Sequence, residues 1–426
     1  MTPLQRRDFL KFAATTAGLS AVGFFPHVSW AQSQGRVVVI GGGYGGATAA
    51  RYIKRWGGKK VSVTLIERNK NFISCPLSNL VLGGSTTLTN LTRNYDKLAK
   101  IPVRMIYNEA KAIDPAKRTV KLASGETIPY DRLVVSPGIE FMWEELPALS
   151  KPAAQEQILH AWKAGPQTVA LRKQLEAMPD GGVYALSVPL APYRCPPGPY
   201  ERACQVASYF KQAKPKSKVL VLDANDKIVS KTALFEKIFK DVYGGIIEYR
   251  PNSKLVDVDV ATKTAKLEVE DVRADVLNVV PPHRAADIAQ QAGLITANKR
   301  WCEVNWLTME SKAQQYIHVL GDATQSAPLM PKSGHMANQH AKLAAAAILN
   351  LLSGQEPNPT PVVVNTCYSF VDAKQVIHVA SVHQYNAEKK LLEVVQGSGG
   401  VSKEPNEQEG RYAWSWARNI WADMLG

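Results

Sequence analysis

The sequence predicts an α/β protein: two Rossmann-like dinucleotide-binding domains followed by a smaller C-terminal α+β domain. Three observations carry this. A glycine-rich turn joins an apolar strand to a helix near the start, in "GRVVVIGGGYGGATAARYIKRW". A second pair of apolar strands, "GGVYALSVPL" and "SKVLVLDAND", recurs in the middle of the chain. A late strand, "YIHVLGDATQ", ends on Gly321 and Asp322, where a split first domain would be completed. The expected division is 1–31 as a leader, 32–150 and 291–355 as the two parts of the first domain, 151–290 as the second domain and 356–426 as the third.

The leader reading rests on "QRRDFLKFAATTAGLSAVGFFPHVSWAQ", with paired Arg6 and Arg7, an apolar run and a small-residue end at Ala31. This is the pattern of a twin-arginine export signal. The run is shorter than the ~20 residues that a bilayer span needs, and Gly18 and Gly23 interrupt it. The expected compartment is therefore the periplasm, where disulfides persist. Removing Arg6, Arg7, Lys11 and Asp8 lowers the formal charge of +14 by two, to +12. The basic charge is not concentrated in a Lys/Arg block, and no zinc-ligand pattern accompanies it, which argues against nucleic acid as a partner. No second apolar run is long enough to span a membrane.

In the first domain, Gly41, Gly43 and Gly46 form G-x-G-x-x-G between strand and helix. The first glycine permits the turn, the second lets pyrophosphate approach the backbone, and the third lets helix and strand pack closely. The helix N-terminus then faces the phosphates. "KVSVTLIERN" follows as a strand ending at Glu67, 67 − 46 = 21 residues past the last glycine. That is the distance at which an acid reaches the ribose hydroxyls. "YDRLVVSPGIE" and the Asp322 turn return the chain to this domain, and they favour FAD over NAD as its ligand.

The corresponding turn of the second domain departs from the pattern. "RCPPGPYERACQV" carries Cys195, three prolines and Glu201 in place of the phosphate-binding glycines. His335 and His340 lie five apart, off the i, i+4 spacing of a helical metal pair, so no metal site is expected. "HMANQHAKLAAAAILNLLSG" reads as a helix closed by Gly354. "VVVNTCYSFV" and "QVIHVASVHQY" read as strands. The tail "RYAWSWARNIWADML" reads as a helix that docks by burying Trp414, Trp416 and Trp421. Lying on a membrane, closing over the flavin and binding a partner are the alternatives, and charges such as Arg418 and Asp423 weaken membrane anchoring. The five cysteines are Cys75, Cys195, Cys204, Cys302 and Cys367. A local Cys195–Cys204 bridge is the simplest pairing, but spacing alone does not decide it.

The stretches "GGGYGGATAA", "SCPLSN", "HAWKAGPQT", "RCPPGPYERA", "MPKSG", "NTCYS" and "YAWSWARNIWADMLG" together resemble the flavoprotein subunit of flavocytochrome c sulfide dehydrogenase, within the glutathione-reductase-like flavoproteins that include sulfide:quinone reductases. The resemblance implies FAD as cofactor and a redox disulfide between Cys195 and Cys367 beside the flavin. It implies Glu201 as a base for the incoming sulfide, Asp322 at the ribityl chain, Lys332 near the flavin pyrimidine and Trp416 near the ring. In the resembled family, the cysteine at the position of Cys75 carries FAD by a thioether. For Cys75 itself, a free thiol at the flavin edge is the alternative. Cys204 and Cys302 read as structural.

The implied activity is oxidation of hydrogen sulfide to zero-valent sulfur, with electrons passed to a c-type cytochrome subunit. The chain has no C-x-x-C-H of its own, so the heme is expected on the partner. A sulfide:quinone reductase, or an electron-transfer flavoprotein without sulfide turnover, is the alternative.

Overall fold

A computed structural model describes residues 35–426. The export-signal reading falls on residues outside that range. The first sheet has five parallel strands in the order Ile317–Val319, Arg132–Val135, Gly35–Ile40, Val61–Glu67 and Val103–Tyr107. The strand "GRVVVI" is central because both of its faces are covered. Val37, Val38 and Val39 are essentially inaccessible to solvent, as an all-parallel sheet requires. The sequence-distant strand Ile317–Val319 closes this sheet beside Arg132–Val135, so the first unit is built from both ends of the chain.

The second sheet is also all parallel, in the order Ile247–Arg250, Lys218–Asp223, Val183–Val188 and Val276–Val279. Each unit carries a three-stranded antiparallel meander, at 110–129 and at 255–273. A short antiparallel pair, Ile139–Phe141 with His283–Ala285, links the segments that cross between the units. The C-terminal region is an antiparallel sheet led by Val362–Phe370 and Val376–Asn386, followed by the helix Glu407–Leu425. This is the expected fold class, with a sheet-rich C-terminal part.

The helix Gly334–Leu352 starts at Ser333, whose hydroxyl accepts the Met336 N–H, and ends before Gly354 at φ +71. It packs against the helix Tyr44–Gly57. The C-terminal helix buries Ala413, Ala417, Ile420, Trp421 and Met424, and it lies against Tyr44–Gly57 and the Val376–Asn386 strand. Among the described residues, no helix is long and apolar enough to cross a membrane.

The glycine motif divides its labour as expected. Gly41 has φ +93, and a Cβ there would lie 2.3 Å from the Ser136 carbonyl oxygen. A Cβ on Gly43 would meet nothing within 4 Å, because this glycine faces open space. A Cβ on Gly46 would lie 1.8 Å from the Gly41 carbonyl oxygen. Backbone cannot retreat as a flexible side chain can. Gly46→Ala is therefore expected to cost about 3 kcal/mol, the upper range for overpacking, measured by denaturant unfolding. A loss below 1 kcal/mol would show that the helix can slide away from its strand.

Candidate functional site

A cavity of about 1010 Å³ runs from the glycine turn to the C-terminal sheet. Gly41, Gly43, Glu67, Cys75, Cys195, Glu201, Asp322, Lys332, Cys367 and Trp416 all line it. Gly46 stands behind the wall, consistent with its packing role.

At the dinucleotide end, Glu67 accepts the Gly42 N–H at 2.6 Å and the Asn69 N–H at 2.7 Å. These bonds fix the carboxylate at the strand end while it still faces the cavity. Asp322 presents a buried carboxylate oxygen with no hydrogen-bond partner among the described residues. Burial pushes its carboxyl up, and Arg194 and Lys332 pull it down. Arg194 Nε, Trp162 Nε1 and Trp416 Nε1 are likewise buried without partners. Three unfilled donors and one unfilled acceptor around an elongated cavity with a bare glycine turn are what a bound flavin dinucleotide would satisfy. The residues present fit FAD.

Lys332 lines the cavity but turns its ammonium onto the protein. Its ammonium donates to the carbonyls of Asp322 and Thr324 and lies 3.7 Å from the centre of the Trp301 ring. Burial pulls it down to about 7, against the pull of Asp322, and its amine is held by protein carbonyls at the cavity wall. Its own carbonyl accepts the Cys195 N–H at 2.9 Å, which ties the cysteine loop to this segment.

Cys195 has φ +60, in the left-handed region, directly before the helix Gly198–Ala213. A Cβ on Gly198 would lie 3.0 Å from Cys195 Sγ and 2.7 Å from the Trp162 ring. The loop therefore needs glycine there to leave room for the thiol. Cys367 comes from the strand Val362–Phe370, 172 residues later by number (367 − 195), and it lies close enough to raise the proton affinity of the Cys195 thiol. All five cysteines are free thiols. Cys204 is wholly buried in the helix core and does not line the cavity, and Cys302 is buried beside the Asp322 turn. Cys75 is half-buried, with the Ala164 N–H at 3.5 Å and Arg194 beside it.

Glu201 sits in the first turn of its helix but does not cap it. Its carboxylate accepts the Phe370 N–H at 3.1 Å and Asn79 Nδ2 at 3.2 Å. Burial pushes this carboxyl up to about 7, opposed by Phe370, Lys231, Asn79 and Arg202. Arg202 is buried beside it, with donors placed on Asn79 Oδ1, Asn278 Oδ1 and the carbonyls of His160 and Ala161. Asn79, Arg194, Arg202 and Lys231 were not singled out from the sequence. Asn79, Arg194 and Arg202 stand inside stretches that were, "SCPLSN" for the first and "RCPPGPYERA" for the other two. Lys231 carries no local signal at all.

The second domain's nucleotide pocket is filled from within. Asp223, at the end of its strand, is fully buried and accepts Tyr200 Oη at 2.7 Å and Tyr249 Oη at 3.0 Å, along with the Asn225 N–H. The acid that would meet a ribose is thus occupied by tyrosines.

Comparison with known proteins agrees along the chain. Residues 35–173 match the pyridine nucleotide-disulphide oxidoreductase family. Residues 168–281 match the central part of the sulfide dehydrogenase (flavocytochrome c) flavoprotein chain, and residues 359–425 match the flavocytochrome c sulphide dehydrogenase flavin-binding family. The sulfide dehydrogenase (flavocytochrome c) flavoprotein chain of Chlorobaculum thiosulfatiphilum is 50% identical over 46 residues, 94% of that sequence and 11% of this one. The chain belongs to the family of flavocytochrome c sulfide dehydrogenase flavoprotein chains.

Mitochondrial sulfide:quinone oxidoreductase of Mus musculus is 24% identical over 69% of this chain and 66% of its own. The chain thus spans about two thirds of that relative's length. Among solved structures, the sulfide:quinone oxidoreductase of Aquifex aeolicus superimposes with a TM-score of 0.74 at 18% identity, covering 91% of both chains. The covalent putidaredoxin reductase–putidaredoxin complex gives 0.65 at 16% identity, covering 91% of this chain and 94% of that one. These likenesses establish the flavoprotein fold.

The flavoprotein chain's buried carboxyl has a thermodynamic signature. Glu201 rises from an ordinary 4.5 to about 7, so the folded protein holds a proton that the unfolded chain releases between those values. The associated stability is complete below pH 4.5 and is lost as pH rises through about 7, on the order of 3 kcal/mol. Glu201→Gln should flatten that slope. Denaturant unfolding of both proteins at pH 5 and pH 8 tests it, and an unchanged slope would mean that Glu201 is already ionised at pH 5.

Proposed function

We propose that this chain is an exported sulfide dehydrogenase flavoprotein that oxidises hydrogen sulfide to zero-valent sulfur and delivers the electrons to a c-type cytochrome subunit. The observation that carries the reading is the meeting of Cys195, Cys367 and Glu201 on one wall of the flavin cavity, drawn from two separate parts of the chain. The names of its relatives point to the same substrate. FAD, held at the glycine turn, Glu67 and Asp322, supplies a two-electron acceptor. Trp416 covers the cavity from the C-terminal helix, and in this reading Cys75, on the cavity lining, is the residue that would carry a thioether to the flavin.

The working form of the cysteines in this reading is a disulfide. Glu201, with its carboxyl near neutrality, takes a proton from hydrogen sulfide as it enters. The hydrosulfide then attacks one sulfur of the pair. A new S–S bond forms at that sulfur, the Cys195–Cys367 bond breaks, and the other cysteine leaves as a thiolate carrying the electron pair. Asn79 and the Phe370 N–H hold the base in place on the side of the helix that faces Cys367.

The tyrosine-filled pocket at Asp223 favours an acceptor other than a nicotinamide. Export, supported by Arg6 and Arg7 and the apolar run after them, points to a periplasmic cytochrome. Quinone is the competing acceptor, and the sulfide:quinone oxidoreductase relatives keep it in view.

Anaerobic sulfide should bleach the flavin band of the native protein, and Cys195→Ser and Cys367→Ser should each abolish bleaching. Glu201→Gln should slow it by about 10²–10⁴-fold near neutral pH. Electrons from sulfide should reach added cytochrome c faster than a short-chain quinone, and faster still with the co-purified heme subunit. Acid precipitation should leave yellow colour in the pellet if Cys75 holds the flavin. Native protein that sulfide does not bleach would end the sulfide reading. Rapid quinone reduction with no response to any cytochrome would replace the acceptor.

A further inference from the structure

Lys231 stands out among the buried groups for which the site as described has no use. It precedes the helix Thr232–Asp241 with φ +54, a backbone conformation that a lysine rarely adopts. It is buried, yet it carries an amine that would remain solvated on a surface loop. Its Nζ donates to the Cys367 carbonyl at 3.1 Å and to Ser369 Oγ at 2.8 Å. Cys367 and Ser369 are two apart on the strand Val362–Phe370, so their side chains share one face of the sheet. An ammonium seated on Ser369 Oγ therefore lies on the face to which Cys367 Sγ points. Lys231 does not itself line the cavity, so it stands behind the sulfur that does.

The other groups around it make the placement asymmetric. Lys231 feels the charges of Cys367, Glu201, Cys195 and, least, Glu409, with the Phe235 ring 5.9 Å away. On the Cys367 side, Asn365 Nδ2 lies 3.4 Å from Sγ, and Ser333 is also in reach. On the Cys195 side the Glu201 carboxylate opposes a thiolate, and Arg194 and then Lys231 counter it. Burial pushes both thiols up. Lys231 is the leading influence that pulls Cys367 back and comes behind Arg194 at Cys195; Glu201 is the leading charge against a Cys195 thiolate and comes last among the influences on Cys367.

We propose that Lys231 is a positioning residue that fixes negative charge on the Cys367 sulfur, whether as the thiolate of the reduced pair or as the persulfide formed when sulfide adds there. This deepens the reading of Cys195 and Cys367 as the redox pair and rests on it. In such a pair, one cysteine sits beside the base and the other beside a fixed cation. Reduction then yields one defined ionisation state, with the proton kept near Glu201 and the anion near Lys231.

The test reads Cys367 directly and needs no sulfide turnover. The flavin-loaded protein is reduced anaerobically with dithiothreitol and desalted. The rate of iodoacetamide alkylation at Cys367 is then followed from pH 6 to 10 by mass spectrometry of its peptide. Lys231→Met should raise the midpoint by at least about one unit and slow alkylation near neutral pH about tenfold. Lys231→Arg should restore most of the native midpoint. Ser369→Ala, which removes the side-chain anchor of the ammonium, should shift it upward by less.

Equal midpoints in the native and Lys231→Met proteins would overturn the proposal. Equal shifts in Lys231→Met and Lys231→Arg would do so too, since a packing role would not distinguish charge. If Lys231→Met does not fold, an unmoved midpoint in Ser369→Ala overturns it instead. Failure of sulfide to bleach the flavin, with these midpoints shifted as expected, would count against the sulfide reading and leave the charge assignment standing.

Discussion

One buried carboxyl group holds the candidate site together. Glu201 accepts from the Phe370 N–H on the strand that carries Cys367 and from Asn79 just after the Cys75 loop, while its own helix begins three residues past Cys195. Three stretches far apart in the sequence thus meet at its two oxygens. A buried carboxylate is costly unless its lone pairs are met, so this contact constrains the folds of all three. Arg202, the next residue, extends the tie. It reaches Asn79 Oδ1 on one side and the carbonyls of His160 and Ala161 on the other, so that the amide that steadies Glu201 is itself steadied. Removing the carboxylate would strip the Phe370 N–H of this acceptor at the centre of the site and leave Asn79 Nδ2 with the Gly198 carbonyl alone.

The second domain shows how a nucleotide-binding scaffold can be kept while its pocket is closed. Its four parallel strands and its helix after the first strand retain the dinucleotide-binding pattern. What changed is the filling. Tyr200 and Tyr249 occupy Asp223, and Tyr193 lies against Tyr200 with the hydroxyls 3.4 Å apart. The same helix that would have offered its N-terminus to a pyrophosphate offers Cys195 and Glu201 to the flavin cavity instead. A loop at the carboxyl end of this sheet, the place where such a scaffold binds its ligand, here carries Cys195 to the cavity wall.

Much of this was legible in the sequence, because the informative residues were ones whose backbone or chemistry admits few substitutes. Gly41, Gly43 and Gly46 announced a turn, a cradle and a close contact, and each occupies that place. Cys195 was conspicuous because it interrupts a glycine pattern, and Cys367 through its resemblance to a known motif. Residues that act by reaching across the fold were not legible. Lys231 lies in "IVSKTALF", an ordinary helix start, and only the register of the C-terminal strand brings Ser369 and the Cys367 carbonyl to its amine. Lys332 was noticed, but its direction was not. A local sequence does not say whether an ammonium faces a cavity or folds back on the carbonyls of Asp322 and Thr324.

The charges of the C-terminal helix illustrate the same limit, with consequences for how the tail is understood. Read along the sequence, Asp423 counted as a surface charge that weakens membrane anchoring. In the fold it is half-buried, accepting from Tyr52 Oη, Asn338 Nδ2 at 2.7 Å and Lys342 at 2.9 Å. It clamps the end of the helix onto Tyr44–Gly57 and Gly334–Leu352. Two residues earlier, Trp421 Nε1 donates to Tyr44 Oη at 3.2 Å, and Arg93 covers its ring at 4.1 Å. Ser74 uses its own proton on the Pro76 carbonyl, so Tyr44 must donate to Ser74 Oγ at 2.7 Å. The relay therefore runs from the tail helix through Tyr44 to the residue beside Cys75. A helix held in this way cannot leave its bed for a bilayer without breaking the support of the Cys75 loop. Its tryptophans serve the interior: Trp421 locks the helix, and Trp416, packed on His335 and Tyr368, closes the flavin cavity.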